Sequence, residues 1–399
     1  MLTEKQTERM LDKLKQFEET LENLMFRPVE EVSMGMYQTS ESLDRMPDRE
    51  LFHKAKKGDI WGGEGKYCWF AGDFVVPEYL DGKDLYLKPE IGGYEAMLWI
   101  DGVPYGIYTS KIIVHSHGNH YCNLMKKKAE VGEHVDIALE YYAHHYVMGT
   151  QPFSCNPHEK YEYSYNKVSV CLKDQEISDF YFDLKIVNQM TDVLDKNSFR
   201  RADIINTLYQ IHQIIYYDYE NAGHAEFMEA LRKAEPLLCN ILSKKNSETT
   251  PFAGLIGHSH MDTAWLWHQG ETLKKCARTY SNQMNLMDQY PNYTFIQSSA
   301  YHGALMKEHY PELFEQMKNR IAEGRYEPNG GAWIECDCNL PSGESMIRQF
   351  LWGQRFTMEN YGYRSDSFWL PDTFGYSVSL PQIMQGCGIR YFLTTKLGW

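Results

Sequence analysis

The sequence predicts a mixed α/β protein: an N-terminal helix, an antiparallel β-sandwich, a helical segment, and a parallel series of strands and helices. Three observations carry this reading. Apolar residues recur at three- and four-residue steps through the first 26 positions. Short alternating runs broken by Gly, Asn and Asp fill positions 61–185. After Pro251, apolar runs alternate with helix-length segments. At 399 residues the chain is too long for one hydrophobic core, so several domains are expected.

In order, residues 1–60 read as a helix and connector, with Met10, Leu11, Leu14, Phe17, Leu21 and Leu24 on one face. Residues 61–185 read as the β-rich domain, from runs such as "YEAMLWIDG", "KIIVHSHG", "HVDIALEYYA" and "KVSVCLKD". "LWIDGVPYGIY" predicts a hairpin turning at Asp101-Gly102. Residues 186–250 are expected to be helical, broken near "ENAGHAE", and to end in the polar linker "SKKNSETTP". From 251 to 399, "FAGLIG", "YTFIQ", "GRYEPNGG", "SDSFWL" and "IRYFLTT" read as short buried strands. Helices are expected at 268–290, 300–323, 343–360 and 377–387. At least five parallel strands imply a barrel or a doubly wound sheet.

The net charge of −14 argues against nucleic acid and against an anionic membrane surface as partners. The charged N-terminus lacks the apolar stretch of a signal peptide, and no run of about 18 apolar residues occurs. Nine scattered cysteines fit reduced thiols, hence a cytoplasmic setting. Cys336 and Cys338 form a lone C-x-C with no second pair to complete a zinc knuckle. The histidines of "HSHGNH" (His115, His117, His120) and the pair His144-His145 read as turn or surface clusters.

Active sites of parallel α/β folds gather at the carboxyl ends of the strands. There the sequence places His258, His260 and Asp262, then Gln297 and Ser298, then Asn329, Trp333, Glu335 and Asp337, then Asp372, then Lys396. His260 and Asp262 are two apart, so on an extended segment they face one side and can share a cation. Imidazole with carboxylate suits zinc or a similar divalent metal. Asp372, in "WLPDTFGYS", is either a helix N-cap or a nucleophile or ligand aimed into the pocket.

The segments "GHSHMDTAWLW", "ECDCNLPSGESMIRQFLWGQRF" and "FWLPDTFGYSVSLPQIMQGCGIRYFLTTKLGW" resemble the α-mannosidases of glycoside hydrolase family 38, over about Phe252 to Trp399. The preceding segments look like the N-terminal domain of that family's cytosolic and vacuolar branch. The resemblance implies the N-terminal part of a (β/α)7 barrel and a retaining, zinc-dependent hydrolase of terminal α-linked mannose, acting on mannose-containing oligosaccharides. It implies His260, Asp262 and Asp372 as zinc ligands and Asp372 as nucleophile. Trp265 is expected to stack on the sugar, Phe374 to line the same subsite, and Lys396 to contact the nucleophile's surroundings. His258 is expected to be structural, and Trp267 to belong to the core. In the family a further histidine ligand and the acid/base aspartate follow the "TTKLGW" segment. The resemblance thus implies an incomplete catalytic set within these 399 residues, completed by a further C-terminal portion, and leaves a homo-oligomer open. Two other readings stay open on the sequence: a catalytically silent carbohydrate-binding protein, and a metal-dependent deacetylase on a related barrel.

Overall fold

A computed structural model describes residues 3–109, 120–146 and 160–398. The run "KIIVHSHG", with His115 and His117, lies outside the described residues. The chain forms a mixed α/β structure of two compact units, and each unit gathers segments distant in sequence. One comprises Met1–Glu30, Asp84–Tyr86 and Val170–Ala253; the other comprises Glu31–Lys83, Leu87–Ser169 and Gly254–Trp399. Among the described residues no helix is long and apolar enough to cross a membrane.

The first unit is a helical bundle. Its helices Glu4–Leu24, Gln175–Val193, Phe199–Ile214 and His224–Leu242 bury one core that includes Leu14, Phe17, Leu184, Leu208 and Phe227. Thr3 and Gln6 close a capping box at the start of the first helix. The helix Gln175–Val193 begins well before position 186. Its start is set by Asp174, whose carboxylate accepts from the Ile177 N–H at 3.1 Å. The spacing of Ile177, Phe180, Tyr181 and Leu184 then keeps one helical face apolar.

The second unit contains a six-stranded antiparallel sheet in the order His53–Lys54, Gly35–Thr39, Tyr67–Val75, His134–Tyr142, Glu95–Ile100, Val103–Thr109. The expected hairpin is present: Ile100 pairs with Val103, and Asp101 and Gly102 both take positive φ, 51° and 76°. Two positive-φ residues match the right-handed twist of the strands, and Asp-Gly adopts them at low cost. Alternate residues Trp69 and Ala71, and Met97 and Trp99, share a buried cluster with Cys276, Ala277, Tyr280 and Met284 of the helix Gln269–Gln289. One face of the sheet is therefore covered by a helix from the parallel series.

Charge reinforces this packing. Lys274 and Arg278, 0% and 1% exposed, lie on the helix face turned to the sheet. The Lys274 ammonium is 2.9 Å from Glu140 and also donates to the Leu43 carbonyl. Arg278 reaches Glu95 at 3.0 Å and bonds Glu271, which accepts from the Tyr67 hydroxyl at 2.9 Å. Lys275 adds a second cation to Glu95 at 3.3 Å. Burial works against ionised Glu95, but Lys275 and Arg278 outweigh it and hold the carboxyl down at about 2.

The parallel series supplies five very short strands: Gly257–His258, Phe295–Ile296, Tyr326–Glu327, Ser367–Trp369 and Tyr391–Leu393. The first three form one sheet and the last two another, all parallel. Asn329 joins the two sheets. Its side-chain oxygen accepts from the Asp366 and Ser367 N–H groups, and Trp369 N–H donates to the Gly330 carbonyl at 3.3 Å. The described strands form no closed barrel. Gly330 is required here: a Cβ on it would lie 1.4 Å from the Ser298 carbonyl oxygen of the neighbouring strand. The expected helices appear as Gln269–Gln289, Ala300–His309, Pro311–Ala322, Gly343–Tyr361 and Leu380–Gly386, with Pro311 dividing the second. "FAGLIG" departs from expectation. Only its final glycine enters a strand, and Phe252 and Leu255 are 97% and 93% exposed. Their side of the first strand has no described partner to bury them.

Arg278→Met should destabilise the chain by about 3–5 kcal/mol, because it strips a buried carboxylate of its partner while keeping the volume. A fall in the urea midpoint with an unchanged m-value would show this. A midpoint within error of the parent would mean that the network contributes little.

Candidate active site

Every short strand of the parallel series ends in a polar side chain directed to one region. His260 and Asp262 follow the first strand, Ser298 the second, Glu335 the third, Asp372 the fourth and Lys396 the fifth. Asp372 is not a helix cap: the next helix starts at Leu380, with Ser379 at its N-cap. Its carboxylate instead faces the site. Oδ2 is 3.7 Å from His260 Nε2, and Oδ1 is 2.8 Å from Lys396 Nζ. Asp262 Oδ1 approaches the same His260 Nε2 to 3.5 Å. The Lys396 ammonium also lies 4.8 Å from the centre of the Phe374 ring, which is 72% exposed. The structure thus brings His260, Asp262, Asp372, Lys396 and Phe374 together. Trp265 is on the loop that carries Asp262, half-exposed, with its ring edge-on to Trp267 at 5.5 Å.

His260 Nε2 is buried and makes no hydrogen bond, although two carboxylates flank it. A buried polar atom left this way costs about 1–3 kcal/mol. A divalent cation in the gap would meet one imidazole nitrogen and two carboxylate oxygens, a donor set suited to zinc. The set is not tightly drawn. Among the described residues, only Asp183, Glu235 and Cys239 of the helical unit bring three ligand atoms within 4.8 Å of one another. Asp262 and Asp372 therefore each approach His260 while standing farther from one another. Burial alone would favour a neutral His260 ring, but Asp262 and Glu335 outweigh it and push the pKa up to about 10.

The other residues at the strand ends have mainly structural duties. Gln297 donates to the Ser299 carbonyl and accepts from the Tyr326 hydroxyl. Asn329 is the joint between sheets described above. Trp333 packs on Tyr301 and Phe356. Asp337 closes a turn, accepting from the Asn339 and Leu340 N–H groups. Trp267 is half-buried rather than core. Its indole donates to Thr272, and Lys275 lies 4.8 Å from its ring centre. Two connections are not visible in the sequence. Glu335 is bonded to His260 at 2.6 Å, and His145 takes a hydrogen bond position 3.0 Å from the Leu266 carbonyl, next to Trp265. His144 likewise stacks on Tyr94 and takes positive φ, so the pair sits in a partly buried turn after the strand His134–Tyr142. The sequence places Glu335 after the third strand but gives it no partner.

Residues 253–399 match the model described as "Glycosyl hydrolases family 38 N-terminal domain". This segment belongs to glycosyl hydrolase family 38. The family 38 segment contains all the site residues named above except His145. Alpha-mannosidase 2C1 of Mus musculus is 32% identical over 372 residues, covering 92% of this chain and 34% of its own length. The alpha-mannosidase of Saccharomyces cerevisiae is 47% identical over 145 residues, 36% of this chain and 13% of its own. The chain thus spans about a third of the first relative's length. The β-glucuronidase of Ruminococcus gnavus overlaps 37% of this chain and 28% of its own at 10% identity, with a TM-score of 0.26, too low to bear on the fold.

Behind the family 38 loop, His302 is 2% exposed, 3.2 Å from both the Thr263 and Tyr280 hydroxyls. Burial, with a smaller contribution from charged His260, pushes its pKa down to about 4. The unfolded chain, with an ordinary histidine pKa of about 6.5, takes up this proton first as pH falls. The stability is therefore complete above about pH 6.5 and drains away toward pH 4, by about 3 kcal/mol. Urea midpoints measured from pH 7 to pH 4 should fall for the parent chain and fall less steeply for His302→Gln. Equal slopes would mean that His302 is not the group being charged.

Proposed function

We propose that this chain carries the nucleophile and sugar-binding portion of a retaining α-mannosidase acting on terminal α-linked mannose of oligosaccharides. The observation that carries the reading is Asp372 at a strand end, 2.8 Å from the Lys396 ammonium and facing His260 at 3.7 Å, within a segment of family 38.

In this reading the Asp372 carboxylate attacks the anomeric carbon. A carbon–oxygen ester bond forms as the glycosidic bond breaks, and the electron pair leaves with the departing oxygen. Lys396 orients Asp372 and offsets its charge before attack. Trp265 offers an apolar plane to the C–H face of the sugar, and Phe374 lines the same pocket. His260, Asp262 and Asp372 would hold zinc, which when bound supplies Lewis-acid chemistry at the sugar hydroxyls and so favours the axial 2-hydroxyl of mannose. Glu335 is not assigned as the acid/base: it is 5% exposed, and both oxygens already accept hydrogen bonds. Asp337 is held in its turn.

Asp372→Asn in the full-length protein should lower hydrolysis of an aryl α-mannoside by several orders of magnitude, since an amide forms the glycosyl ester poorly. Near-normal turnover would move the nucleophile elsewhere. Trp265→Ala should weaken binding of mannose or an aryl mannoside by about 1–2 kcal/mol while leaving the chain folded. An unchanged KM would place the indole outside the sugar site.

A further inference from the structure

A line of hydrogen-bonding groups crosses the ends of the first three parallel strands, and it ends on His260. The Glu335 carboxylate is at its centre, 5% exposed. Oε2 accepts from His260 Nδ1 at 2.6 Å. Oε1 accepts a hydrogen bond from the Ser298 hydroxyl. Ser298 Oγ in turn is 3.5 Å from His258 Nε2. The Glu335 backbone N–H donates to Ser299 Oγ at 3.2 Å, which anchors the carboxylate from behind.

The direction of each bond follows from the chemistry. An ionised carboxylate only accepts. Ser298 therefore spends its one proton on Glu335, and its lone pairs face His258 Nε2–H. The other carboxylate oxygen requires a proton on His260 Nδ1. With that nitrogen committed as a donor, the opposite one, Nε2, is turned toward Asp262 and Asp372, where it is buried and without a hydrogen bond. The ring cannot rotate to offer Nδ1 instead without abandoning a buried carboxylate.

We propose that Glu335, supported by Ser298, is the positioning residue of the metal site: it fixes the ring orientation of His260 so that Nε2 faces the cation. The assignment rests on the zinc reading given above. It explains why a carboxylate beside the candidate catalytic residues is almost fully buried and has no open oxygen for substrate. Hydrogen-bonded partners of metal-binding histidines typically contribute 10–100-fold to metal affinity.

The test is zinc binding by the purified chain, measured by competition with a chromophoric chelator, beside thermal melting of each metal-free variant. His260→Ala should abolish tight binding, which tests the zinc site itself. Glu335→Ala should weaken zinc about 10–100-fold. Glu335→Gln keeps an oxygen to accept from Nδ1 and should recover most of that loss. Ser298→Ala should cost less than Glu335→Ala. A parent chain that binds zinc no better than His260→Ala overturns both the zinc site and this inference. Glu335→Ala that binds like the parent, beside a weakened His260→Ala, overturns the positioning role alone. So does a Glu335→Gln that melts like the parent yet binds zinc as weakly as Glu335→Ala.

Discussion

The second unit depends on ionic groups that have almost no water around them. Lys274 and Arg278 project from one helix toward the sheet residues Glu140 and Glu95, and Arg278 also pairs with Glu271 of its own helix. Such groups are costly to bury, and they are tolerated only when each finds a partner in one geometry. An apolar interface lets a helix slide or rotate by a few ångströms at modest cost. This one does not, because displacement would strand a charge. The loop with His260, Asp262 and Trp265 runs directly into the start of that helix, at Gln269. The β-rich segments thus hold the first strand end in place. His145 extends that support to the loop itself through the Leu266 carbonyl.

At the site, the same physics operates with the balance left open. In the interior network each buried cation stands against a carboxylate, although both Glu140 oxygens and Arg278 Nε make no hydrogen bond. In the strand-end group one imidazole nitrogen and two carboxylates face a common gap. The closed part lies behind, in Glu335 and Ser298; the open part lies in front, in His260 Nε2, Asp262 and Asp372. This division between a satisfied rear and an unsatisfied front separates a binding site from a merely buried polar cluster.

Much of this was legible in the sequence. The N-terminal helix, the Asp101-Gly102 turn, the helices after Pro251 and the order of polar residues at strand ends all follow from local periodicity and turn chemistry, which a single chain displays openly. The role of Asp372 was ambiguous because an aspartate before a Ser-rich segment reads equally well as a cap. Only Ser379 at the actual cap resolves it. The buried cations were illegible for another reason. "ETLKKCAR" looks like an ordinary charged helix surface, and nothing local says that its face meets Glu95, some 180 positions earlier. Glu335 was hidden similarly, because its partner His260 is 75 positions away. "FAGLIG" shows the opposite error: apolar residues imply burial only if something is present to cover them.

The two- and three-residue strands of the parallel series give the hydrogen-bond line from His258 through Ser298 and Glu335 to His260 a further meaning. With so few ladder bonds, backbone pairing alone discriminates weakly between neighbouring alignments of these strands. Yet sliding one strand by a single residue turns each of its side chains to the opposite face. Such a slip of the second strand would remove Ser298 from the line and leave Glu335 Oε1 without that donor. The cost of misalignment is thereby moved from the backbone to the side chains at the strand ends. Correct alignment of the wall and readiness to hold a ligand become one event, so a misthreaded chain would announce itself by failing to bind.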